Sequence, residues 1–119
     1  MRNNVAALFE PGSFINGRWL TSESRFAVTN KATGETLTEL AVAGANEMQQ
    51  AIDAANKAFP AWAATPAITR GQLLRKWFNL MTKRSDELAE LLTLEQGKPL
   101  TEAQGEIGYG AGYIEWFAE

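Results

Sequence analysis

Near Asn46 the apolar residues change their spacing, and that change limits what the chain can fold into. Before it, short apolar runs are broken by turn signals. After it, apolar residues return every three or four positions, the period of a helix packed on one face. The division predicts strands over 1–44 and helices over 45–119 within a single unit of 119 residues.

The strand half carries its own punctuation. In SFINGRWL, Asn16-Gly17 is a two-residue hairpin signal, because both central positions of a type I′ turn need positive φ. A second pair follows as RFAVT, a turn around Gly34, and TLTELAV. In the helical half, Met48, Ile52, Ala55 and Phe59 form one stripe, with Asn46 and Gln49 as its capping box and Pro60 as its end. Thr65-Pro66 opens the next helix as N-cap and first residue, and Leu74, Trp77, Phe78 and Met81 follow at helical spacing. Ser85 or Asp86 is placed to cap a third helix with Leu88, Leu91 and Leu92 on its face. Thr101 with Gln104 then opens a last helix that runs to Glu119.

The stretch LEQGKPLTEAQGE (94–106) reads as a joint between two helices. Gly97 suits a left-handed C-cap, Lys98 opposes the negative end of the preceding helix, and Pro99 prevents its continuation. Two sharper readings are weaker. A phosphate loop needs several backbone N–H groups aimed at one anion, and GKP offers one glycine and a proline without an N–H. Glu102 and Glu106 share a helix face and could pair for acid–base work, but nothing beside them supports chemistry, and a solvated face suffices.

Composition excludes more. The chain has no cysteine and no histidine, which removes thiolate nucleophiles, histidine-based dyads, disulfides and the usual soft metal sites. The formal charge of −3 argues against a nucleic-acid footprint. The basic group Arg70, Arg75, Lys76, Lys83 and Arg84 is interleaved with apolar positions, so it reads as a solvated helix face. The apolar run Val5 to Phe9 is too short for a signal-peptide core, and no later run could span a bilayer. A cytoplasmic protein with no membrane or nucleic-acid partner is expected.

The succession FINGRW, NKATGE, AIDAANKAF, RGQLLRKW, LLTLEQGKP and YIEWFAE resembles the N-terminal part of the NAD(P)-dependent aldehyde dehydrogenases, from about Phe14 to Glu119. The run LLTLEQGKPLTEAQGEI with YIEWFAE is most similar to the succinate-semialdehyde dehydrogenase branch. The resemblance implies an α/β parent with a doubly wound cofactor domain, of which this chain supplies hairpin strands and about four helices. It implies oxidation of an aldehyde such as succinate semialdehyde to the acid with NAD or NADP, in a homo-oligomer. The cysteine nucleophile, the water-activating glutamate and the cofactor loop would lie downstream of the segment represented here. The chain is then expected to be inactive alone, to need the remainder of the enzyme as its partner, and to expose a large apolar patch without it.

Two site assignments come with the resemblance. A monovalent cation would be held by the carbonyl of Thr29 and by Glu95, although Glu95 also reads simply as a helix-end carboxylate. A substrate tunnel would be lined by Gly105 and Tyr109, one turn apart. The sequence departs from the family pattern at Lys31, where a proline is usual, and at Gly108, Gly110 and Gly112, where small residues with a Cβ are usual. The competing reading is a non-enzymatic helical module, or a truncated product, that only binds partner surfaces.

Overall fold

The computed structural model describes residues 8–10 and 12–119, so Val5 to Ala7 of the first apolar run lie outside the described residues. Two antiparallel hairpins precede four helices. Strands β1 (Ser13–Ile15) and β2 (Arg18–Leu20) pair Ile15 with Arg18 across Asn16-Gly17. Asn16 at φ 52° and Gly17 at φ 76° both lie in the left-handed region that this two-residue turn demands. Strands β3 (Arg25–Thr29) and β4 (Thr36–Ala41) form the second hairpin, with a register shift at Val28/Thr29.

The β3–β4 turn survives without proline at position 31. The Asn30 side chain accepts from the N–H of Ala32 at 2.9 Å, the Asn30 carbonyl accepts from Gly34 N–H at 2.8 Å, and Gly34 takes φ 76°. The asparagine thus builds the turn from its own side chain, so the residue after it needs no fixed φ.

The helices are α1 (Ala45–Ala64), α2 (Ala67–Lys83), α3 (Ser85–Gln96) and α4 (Leu100–Ala118). Their starts differ from the expected caps. Gly44 is the N-cap of α1, and its N–H donates to the Glu47 carboxylate at 2.8 Å, while Gln49 instead bonds Asp53. The bond from Gly44 holds the Glu47 carboxyl below the usual range, so its contribution persists above the ordinary carboxylate pKa and fades as acid protonates it. Pro60 does not end α1, which continues to Ala64. The proline leaves the Asn56 carbonyl without its donor, but Asn56 is exposed and water can replace it.

Thr65 closes α1 instead of opening α2: its hydroxyl donates to the Ala61 carbonyl at 2.9 Å, and Pro66 is the N-cap of α2. Arg84, not Ser85 or Asp86, is the N-cap of α3, because α2 and α3 follow with no extended residue between them. Pro99, not Thr101, is the N-cap of α4, and Gln104 reaches Asp86 on α3 at 3.3 Å instead of capping its own helix. Glycine thus sets the start of α1 and proline the starts of α2 and α4, while Gln49 and Gln104 bond Asp53 and Asp86 instead of capping.

Ala103 and Ala111 of α4 and Ala89 of α3 are buried, so small residues bring α4 down onto α2 and α3. Ile107 and Ile114 flank them, half-buried. Gly71 of α2 brings the closest approach, since a Cβ there would lie 2.6 Å from the Ala118 carbonyl oxygen. Arg75 adds a polar clasp, reaching Glu115 at 2.7 Å and Glu119, with its guanidinium 5.0 Å from the Phe78 ring centre.

Candidate functional site

The GKP joint is structural. Gly97 takes φ 86° and its N–H donates to the Thr93 carbonyl at 2.8 Å, which closes α3 as a left-handed cap. Lys98, 17% exposed, is spent on Glu106 at 2.7 Å across the turn, not on the end of α3. Glu102 is exposed, so the two glutamates form no catalytic pair.

The same joint abuts the β3–β4 turn. A Cβ on Gly97 would lie 3.0 Å from Cβ of Lys31, and β3 contacts α3. Thr29 is half-buried at the end of β3, and Glu95 is half-buried in the last turn of α3. The Thr29 hydroxyl accepts from Lys31 Nζ at 3.1 Å. Among the described residues no group of three or more acidic side chains converges on a metal-sized site.

The outer face of α4 is the most ligand-like surface. Tyr109, Tyr113, Trp116 and Phe117, with Gly108 and Gly112 between them, line a groove of about 440 Å³. The Tyr109 and Tyr113 hydroxyls are 2.7 Å apart and their rings meet edge to face at 5.1 Å. The bond to Tyr109, then burial, pushes the Tyr113 phenol above its ordinary range. No charged side chain lines this groove. Of the two expected tunnel residues, Tyr109 lines this groove, and Gly105 lies one turn earlier on α4 outside the groove lining. Tyr113 and Trp116 were not singled out, although their offsets of four and seven from Tyr109 share its helix face.

A larger groove, about 740 Å³, runs between α2 and the end of α4. Two of its cations already serve the fold: Arg75 holds Glu115 and Glu119, and Arg70 donates to the Thr65 and Ala63 carbonyls. That groove is packing geometry left at a helix crossing.

Comparison with known proteins bears on the whole chain. Residues 19–119 match the aldehyde dehydrogenase family. The succinate-semialdehyde dehydrogenase [NADP(+)] of Escherichia coli K12 is 53% identical over 121 residues, covering 100% of this chain and 25% of that protein. The glutarate-semialdehyde dehydrogenase of Pseudomonas putida KT2440 is 51% identical with the same coverage. A crystal structure of an E. coli NADP-dependent enzyme superimposes with a TM-score of 0.91 at 52% identity, over 95% of this chain and 24% of that one. The chain spans about a quarter of the length of these relatives. Its hairpins and helices are therefore a part of a larger α/β enzyme fold, as the motif order implied. With its motifs, its fold and its sequence agreeing over nearly every described element, the chain belongs to the aldehyde dehydrogenase family.

Proposed function

We propose that this chain is the N-terminal portion of an NAD(P)-dependent dehydrogenase that oxidises succinate semialdehyde, or a related aldehyde, to the carboxylic acid. The observation that carries the reading is the end-to-end match at 53% identity to an enzyme named for that substrate. The second relative is named for the semialdehyde one methylene longer, which supports the same substrate class.

The chain's own part in the reaction is structural and steric. Aldehyde oxidation through a covalent intermediate needs a nucleophile such as a thiolate, and the chain has no cysteine. The dinucleotide, when bound, accepts the hydride, but the residues present do not fit it. The closely spaced glycines 105, 108, 110 and 112 lie inside α4, whose backbone N–H groups are engaged within the helix instead of facing a phosphate. What remains is the neutral aromatic groove around Tyr109, which suits the walls of a substrate passage with Gly105 at its margin. The Thr29 carbonyl and the Glu95 carboxylate are hard oxygen donors of the type that suits an alkali cation.

The test is a chimera in which this chain replaces the corresponding quarter of the E. coli relative. It should oxidise succinate semialdehyde with NADP+ at a kcat/KM within about tenfold of the parent, a difference of about 1.4 kcal/mol in transition-state stabilisation. A folded chimera that binds NADP+ but oxidises neither succinate nor glutarate semialdehyde overturns the reading.

A further inference from the structure

The β3–β4 turn and the α3–α4 joint meet at one corner, and a lysine lies across it. The stem of Lys31 runs beside Gly97: a Cβ built on that glycine would lie 3.0 Å from Lys31 Cβ and 3.6 Å from its Cγ. Gly97 therefore clears the path of the stem as well as closing α3. The Lys31 ammonium donates to the Thr29 hydroxyl at 3.1 Å. Two residues before Gly97 stands the half-buried carboxylate of Glu95. Among the described residues Glu95 enters no ion pair, and the neighbouring Lys98 is taken by Glu106.

The chemistry of this corner asks for one positive charge. A half-buried carboxylate is costly without a counter-charge, and neutral oxygens beside it suit a hard cation. A single carboxylate balances a single charge, in keeping with the lack of any three-acid cluster among the described residues. An alkali cation and an alkylammonium are both monovalent, and both are held by carboxylate, carbonyl and hydroxyl oxygens. They compete, because two like charges beside one carboxylate repel each other more strongly as they leave bulk water. Position 31 is free to carry the ammonium, since the Asn30 side chain already builds the turn. A proline there would bring no charge.

We propose that the Lys31 ammonium is the resident monocation of the Thr29–Glu95 corner, so that this chain joins the β3–β4 turn to the α3–α4 joint without a dissolved alkali ion. Rotation about the flexible four-carbon stem lets one ammonium serve both the Thr29 oxygens and the Glu95 carboxylate. The joint leads directly into α4, which carries Tyr109, so a tethered charge makes the placement of the aromatic groove independent of the surrounding salt. The inference rests on the dehydrogenase reading for the idea that a cation belongs at this corner.

The test compares the chimera with its Lys31→Met and Lys31→Pro variants, the second restoring the residue usual in the family. Each protein is melted in potassium chloride and in choline chloride at equal concentration, so ionic strength is constant and only the fit of the cation changes. Potassium sites elsewhere act on all three proteins alike, and the difference between them reads position 31. Each variant should melt about 2 °C below the Lys31 chimera in choline and regain that difference in potassium. Crystals of the variants soaked in rubidium chloride should show the ion's anomalous signal between Thr29 and Glu95, and crystals of the Lys31 chimera none there. An equal response to potassium in all three proteins, or rubidium bound beside Lys31, overturns the proposal. So does a loss of stability that potassium does not restore, which would leave Lys31 a packing role alone. Neither readout uses turnover, so a folded but inactive chimera sinks the functional reading while the cation response is still judged separately.

Discussion

Replacing Gly108, Gly110 and Gly112 together with alanine will raise the helicity of the chain and stabilise it by about 1.5–3 kcal/mol, at roughly 0.5–1 kcal/mol for each site. The expectation depends on two conditions that these positions meet. None of the three takes a positive φ, and a Cβ built on any of them meets nothing within 4 Å. The glycines therefore carry the entropic cost of a flexible helix interior with no compensating close contact among the described residues. Circular dichroism at 222 nm and the thermal melt of the triple variant against the parent measure the effect. A loss of stability would mean that these glycines do something other than sit in an open helix.

The same substitution at Gly71 should have the opposite sign. Alanine there gains helix propensity, but its Cβ would lie 2.6 Å from the backbone oxygen of Ala118, an atom that cannot rotate away. Overpacking of this kind costs about 1–3 kcal/mol, against about 0.5–1 kcal/mol recovered in propensity. The balance is a net loss of up to about 2.5 kcal/mol by these ranges, concentrated where α4 docks on α2. Because Arg75 reaches Glu115 and Glu119 from the next turn of α2, the clasp should loosen with it. Denaturant unfolding of Gly71→Ala beside Gly108→Ala provides the comparison. A stabilised Gly71→Ala would show that the end of α4 yields at little cost.

How much of this was legible beforehand depended on whether the signal was local. Asn16-Gly17 and Gly97 were legible because a left-handed backbone leaves few residue choices. The faces of α2 and α3 were largely legible from periodicity, since Leu74, Phe78, Leu88, Leu91 and Leu92 are half-buried, but that of α1 was not: Met48, Ile52 and Phe59 stand exposed. The capping residues were not. Asn46, Ser85 and Thr101 are good caps in isolation, yet Gly44 with Glu47, the continuous α2–α3 joint and Pro99 set the starts. Pro60 misled for a related reason, since an exposed helix near its end tolerates one missing donor. The Arg75–Glu115 clasp joins residues 40 apart in the chain and has no sequence signature. At the site, Tyr109 came from family resemblance alone. Tyr113 and Trp116 were within reach of helical spacing from Tyr109.

The α1 stripe and the aromatic groove of α4 both present exposed apolar side chains. A stand-alone interaction module could display such faces too; the 53% identity to a quarter of a semialdehyde dehydrogenase favours the enzyme reading.

The most direct measurement is nicotinamide reduction by the purified 119-residue chain itself, incubated with succinate semialdehyde and either NAD+ or NADP+. A chain that contributes scaffold and passage but no nucleophile should give no absorbance at 340 nm above buffer. Sustained, chain-dependent turnover would contradict the account at its centre, because the chain has no cysteine thiol to form the covalent intermediate.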